Sequence, residues 1–95
     1  RAVLGDAADG VALSATKSMT GHLLGGAGAV ETIFTVLALH ERTAPPTINV
    51  SRPDPELALD LVRDTPRPLR DGQLAAINNS FGFGGHNVAL VLTTA

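Results

Sequence analysis

Ninety-five residues with 44% hydrophobic content make one small domain's worth of chain, able to bury a core with a thin margin. Seven Lys and Arg against nine Asp and Glu, with only three aromatic residues, leave no basic stripe and argue against a nucleic-acid partner. The absence of Cys excludes disulfides, thiolate metal sites and a cysteine nucleophile among these residues; no apolar run reaches the length of a membrane span, and Arg1–Asp6 has no signal-peptide pattern, so a soluble, cytoplasmic chain is expected.

Residues 1–10, rich in Gly, Asp and Ala, read as a loop or a helix end. Val11-Ala12-Leu13-Ser14-Ala15 reads as a short strand. From about Ala27 to Arg42 the spacing predicts a helix, with Leu23, Ala27, Val30, Phe34 and Leu37 following at steps of four and three along one face. Ala29, Ile33, Val36 and Leu39 cover most of the remaining circumference, and Glu31, Thr32 and Thr35 leave a narrow polar stripe. Thr43-Ala44-Pro45-Pro46 is expected to end the helix, because residues before proline avoid the α region. Residues 43–72 carry all six prolines and read as an ordered but irregular connection, with a short strand near Leu59–Val62.

Leu74–Asn79 and Asn87–Thr93 read as two strands, and an antiparallel pair is the simplest way to join them. A helix apolar nearly all round predicts burial on nearly all sides. The continuous apolar run of the last strand predicts burial on both faces. Three strands and one long helix cannot cover both, so the chain reads as an interior slice of a larger layered α/β structure. A homo-oligomer that supplies the missing cover is the other solution.

Two stretches carry chemistry. In Asn79-Ser80-Phe81-Gly82-Phe83-Gly84-Gly85-His86-Asn87, three glycines in four positions permit positive φ and close approach of another group, beside two of the three aromatics. Such a loop fits a place where a ligand or covalent intermediate meets main-chain N–H groups; a tight turn with two core anchors fits equally. In Ser14-Ala15-Thr16-Lys17-Ser18-Met19-Thr20-Gly21-His22, His22 stands just ahead of the long helix. The helix dipole and a nearby Lys17 ammonium both favour a neutral ring that donates one N–H to a carbonyl oxygen, the arrangement that stabilises an enolate. A helix-capping histidine with a solvated Lys17 is the alternative. Gly25-Gly26-Ala27-Gly28 is not a phosphate cradle: Glu31 occupies the third position of GxGxxG, and Ala27 replaces the P-loop Lys. Close helix packing is the expected reason for these glycines, and His40 and His86 are expected to be structural.

Ser14 to Glu31 together with Asn79 to Gly85 closely resemble the C-terminal part of β-ketoacyl-[acyl-carrier-protein] synthases, best of all the elongating synthase II type. The spacer Ala44-Pro45-Pro46-Thr47-Ile48-Asn49 fits too, and the resemblance runs from about Val11 to the end. It implies a thiolase-like α-β-α-β-α fold, of which residues 1–95 form part of the C-terminal half. It implies an enzyme that decarboxylates malonyl carrier protein and condenses the carbanion with a cysteine-bound acyl chain. The resemblance makes His22 the second catalytic histidine and Lys17 its supporting lysine. It makes the Phe83 N–H one arm of the oxyanion hole and the Phe83 side chain the gate to the acyl pocket, with Phe81, Gly82 and Gly84 lining the same loop. The cysteine and first histidine lie upstream in the family, so these residues alone are expected to be inactive. The implied partners are acyl- and malonyl-loaded carrier protein, the N-terminal part of the same enzyme and a second copy in a homodimer; neither metal nor cofactor is implied. A polyketide ketosynthase and a non-catalytic chain-length-factor-like subunit are the rival readings. His86, where most members carry Thr, resembles the branch that elongates very long chains in mycolic-acid synthesis.

Overall fold

The computed structural model describes residues 1–95, and their element order is mixed: β1 (Ala12–Leu13), α1 (Lys17–Thr20), α2 (Ala27–His40), β2 (Thr43–Ala44), β3 (Asp60–Leu61), β4 (Arg67–Pro68), β5 (Ala75–Phe81) and β6 (Asn87–Thr93). The chain divides into two compact units. Unit 1 takes Arg1–Gly21 and Ala44–Arg67; unit 2 takes His22–Thr43 and Pro68–Ala95.

Unit 1 is built mainly from irregular chain. A 3-10 run at Gly5–Gly10 buries Ala8, and the Arg1 guanidinium holds this end to Asp9 and to the Ala58 carbonyl. The expected first strand shortens to β1, which pairs in parallel with β3 through Ala12–Asp60 and Leu13–Leu61. The strand expected near Leu59–Val62 is therefore present. Ala8, Ala44, Val62 and Thr47 form the buried centre. The four-residue helix α1 has no apolar periodicity to announce it; its N–H bonds reach back to Ala15 and Thr16.

In unit 2, β5 and β6 pair antiparallel over seven positions, from Ala75–Thr93 to Phe81–Asn87. The expected pairing holds, and β5 runs two residues past the expected end. Helix α2 lies against this ladder. An added Cβ at Gly28 would stand 3.3 Å from Ser80 Oγ, so a side chain there would crowd β5. The Asn78 side-chain amide donates to Thr32 Oγ1 at 3.0 Å, and that hydroxyl in turn donates to the Gly28 carbonyl. Close packing thus accounts for Gly28, whereas Gly25 and Gly26 meet nothing within 4 Å in this chain.

One expectation needs correction: the helix ends at His40, ahead of the prolines, where Arg42 takes a left-handed φ of 52° and its guanidinium donates to the carbonyls of Arg70 and Gly72. Within this chain α2 is not covered all round, as expected of a helix that three strands cannot enclose. Ala27 and Leu39 are buried, but Ile33, Val36 and Leu37 are about half exposed, at 57%, 48% and 49%. Gly28 and Thr32 of α2 meet β5. β6 likewise leaves Val88, Leu90 and Val91 exposed. The physical reason is common to α2 and β6: one ladder offers one face to one helix, and the apolar surface remaining has no element of this chain to meet.

In unit 1 the Arg67 guanidinium forks onto both Asp60 carboxylate oxygens. These hydrogen bonds outweigh desolvation and hold the Asp60 carboxyl below its ordinary value. A depressed folded value means a contribution to stability that is complete above the unfolded pKa of about 3.9 and lost as pH falls through the folded one. Asp60→Asn is therefore expected to lower the denaturation midpoint slightly at pH 7, the pair being solvent-exposed. The gap to the parent protein should close as the pH falls below about 4, which paired denaturation curves at several pH values will check.

Candidate active site

Lys17 opens α1 in unit 1. The helix stops after one turn because Gly21 adopts φ 74°, while its N–H bonds to the Lys17 carbonyl at 2.9 Å. A side chain is disfavoured at that φ, so glycine is what lets the chain turn out of α1 into His22.

His22 begins unit 2 and is exposed. Its Nδ1 accepts the Leu24 N–H at 3.0 Å. That bond takes up the Nδ1 side of the ring and leaves Nε2 as the other ring nitrogen. Leu24 reaches this position with a φ of 51°, uncommon for a residue with a branched side chain. The Gly26 N–H then bonds the Leu23 carbonyl at 3.1 Å, and the 3-10 turn Leu24–Gly26 leads straight into α2. The N-cap of α2 is Gly26, with no side-chain capping bond, so the His22 ring does not cap the long helix; it bonds the 3-10 turn ahead of it.

The glycine loop lies at the end of the β5–β6 ladder, also in unit 2. The Gly82 N–H donates to the His86 carbonyl at 2.7 Å and closes the loop. Phe83–Gly85 form a 3-10 turn in which Gly84 and Gly85 take φ of 77° and 79°. The first N–H groups of such a turn have no partner within it. Neither aromatic is a core anchor in this chain: Phe83 is 97% exposed and Phe81 75%. His86 contributes its carbonyl to the loop closure, and its imidazole flanks Gly84.

Of the predicted site residues, His22, Phe81, Gly82, Phe83 and Gly84 fall in unit 2, and Lys17 falls in unit 1. A cleft of about 330 Å³ in unit 2, lined by Val36, His40, Arg42 and Leu92 among others, includes none of them. Sequence reasoning did not single out Leu24, whose backbone sets the His22 ring. Nor did it single out Thr47, the one buried polar residue. Its only signal was a hydroxyl residue directly after two prolines.

Residues 1–51 match the family described as beta-ketoacyl synthase, C-terminal domain. The chain belongs to that family. Among its relatives are proteins named 3-oxoacyl-[acyl-carrier-protein] synthase 2. That of Synechocystis sp. is 55% identical over 92% of this chain and 20% of its own length. That of Coxiella burnetii is 52% identical over 94% of this chain and 21% of its own. That of Mycobacterium tuberculosis is 56% identical over 83% of this chain and 18% of its own. The chain thus spans about a fifth of the length of the curated relatives it matches.

The loop's backbone makes a discriminating test. Gly84→Ala forces a side chain into left-handed backbone and should destabilise by about 1–2 kcal/mol. Gly82→Ala, at φ −116° with its new Cβ in ordinary contact 3.7 Å from His86, should cost clearly less. Denaturation midpoints of the two variants will rank them.

Proposed function

We propose that these residues belong to a β-ketoacyl-acyl-carrier-protein synthase of the fatty-acid elongating type, and that they supply the decarboxylating half of its active site. The observation that carries the reading is the Leu24 N–H bond to His22 Nδ1, which leaves Nε2 as the ring nitrogen open to a substrate. In this reading the malonyl thioester carbonyl accepts a hydrogen bond from Nε2–H. The bond between the malonyl α-carbon and its carboxylate breaks, carbon dioxide leaves, and the electron pair remains as an enolate whose oxygen His22 stabilises. Lys17 supports this site. The α-carbon then attacks the acyl thioester carbonyl, and the oxyanion so formed is met by the Phe83 N–H. Collapse of the tetrahedral intermediate expels the cysteine thiolate and leaves the lengthened β-ketoacyl chain on carrier protein.

The cysteine must come from residues outside this chain, which has none; covalent acyl transfer needs such a nucleophile. The first histidine is assigned to the same absent part. A layered thiolase-like fold is the proposed setting, supported by the half-exposed apolar residues of α2 and β6 that await cover. Acyl carrier protein as partner, a homodimer and a cytoplasmic location follow as parts of the same proposal. No helix is long and apolar enough to cross a membrane. The names of the relatives favour fatty-acid elongation over a polyketide role.

In the full-length synthase, His22→Ala is expected to lower malonyl decarboxylation by roughly a hundred- to thousand-fold. Transfer of the acyl chain to the cysteine should persist. Carbon dioxide release and the mass of the acyl-enzyme separate the two steps, and retained condensation would overturn the role of His22. Phe83→Ala keeps the backbone N–H and removes the gate, so acylation rates should change with acyl-chain length while the fold is kept. An unchanged chain-length profile in single-turnover acylation would count against gating.

A further inference from the structure

We propose that Thr47 is a positioning residue for Lys17: through its hydroxyl it holds the α1 turn in the geometry the reaction needs. The inference rests on the reading of Lys17 as part of the decarboxylation site. It lies wholly within unit 1.

A four-residue helix cannot hold itself, because nucleating a single turn is unfavourable without outside support. The support for α1 comes from the segment Pro45–Asn49. Ser14 Oγ donates to the Pro45 carbonyl at 2.6 Å, and the Ala15 N–H donates to Thr47 Oγ1 at 2.9 Å. The Ile48 N–H donates to Ser18 Oγ at 3.0 Å, and that hydroxyl donates to the Ala15 carbonyl at 2.8 Å. The Asn49 side-chain amide donates to the Ser18 carbonyl at 3.3 Å. Residues 14, 15 and 18, on both sides of Lys17, are therefore tied to one splint.

Thr47 is the anchor of that splint. It is 5% exposed. Its N–H donates to the Val62 carbonyl at 2.8 Å, and its own carbonyl accepts the Asp64 N–H at 3.1 Å. The Val62 N–H bonds the Leu13 carbonyl at 2.9 Å, which closes the circuit from β3 back to β1, two residues before Ala15. Backbone bonds on both sides thus immobilise Thr47, and its hydroxyl transmits that position to Ala15. A displacement of about 1 Å at a reacting group can cost on the order of a hundred-fold in rate.

The test uses the full-length enzyme and measures malonyl decarboxylation in Thr47→Val, Thr47→Ser, Lys17→Ala and the Lys17→Ala/Thr47→Val double variant. Thr47→Val keeps the shape and removes the hydroxyl. It is expected to lower kcat by roughly ten- to a hundred-fold, with cysteine acylation unchanged, and Thr47→Ser is expected to restore most of the loss. In the Lys17→Ala background Thr47→Val should add nothing, because residues acting as one device are not additive. If Thr47→Val does not fold, Ser18→Ala, which removes the hydroxyl at the other end of the splint, is put through the same cycle. A full, additive loss in the Lys17→Ala background, or equal loss of acylation, would mean a merely structural role and overturn the proposal. A Lys17→Ala enzyme with undiminished decarboxylation would instead overturn the reading of Lys17, and this inference with it.

Discussion

The register of the β5–β6 ladder is the constraint on which unit 2 depends. Side chains alternate faces along a strand, so a slip of one residue would send Asn78 and Ser80 away from α2 and turn Ile77 toward it. The observed pairing ends at Phe81–Asn87, and the Gly82–His86 bond seals the loop just beyond. Only then do the positive φ values of Gly84 and Gly85 have a purpose: they return the chain within the few residues the register leaves. The loop's chemistry is thus set by strand pairing several residues away.

Unit 1 meets a different demand. With few regular elements, its buried backbone groups must find partners singly, since leaving one unmade costs about 1–3 kcal/mol. Thr47 answers for several of them, through its N–H, its carbonyl and its hydroxyl. The prolines beside it reduce the freedom the chain must give up and remove donors that would otherwise need acceptors. An irregular segment can in this way be as defined as a sheet, and can hold a neighbouring turn in place.

Helix α2 shows why composition and environment must be kept apart. Its polar Thr32 meets the sheet through Asn78, while Ile33, Val36 and Leu37 lie half exposed. An isolated helix of this kind would be poorly suited to water. The layered fold proposed above would give the same helix a place, with the Gly28–Thr32 side against β5 and apolar residues left for a further layer. The same holds for Val88, Leu90 and Val91 of β6.

Much was legible in the residues themselves. The start and course of α2, the β5–β6 hairpin, the short strand at 60–61 and the family all follow from local patterns, because periodicity and glycine placement are written in neighbouring residues. The end of α2 was not, because Arg42 turns left-handed just beyond it and is held there by bonds to the carbonyls of residues 70 and 72. The helical turn at Lys17 was not, because its support comes from residues 45–49. The sequence by itself determined which groups are present: an imidazole, an ammonium and a glycine-hinged aromatic loop. The tertiary structure alone decided what steadies the Lys17 turn. That depends on hydrogen bonds whose partners are chosen by how the chain folds and not by the residue types that form them.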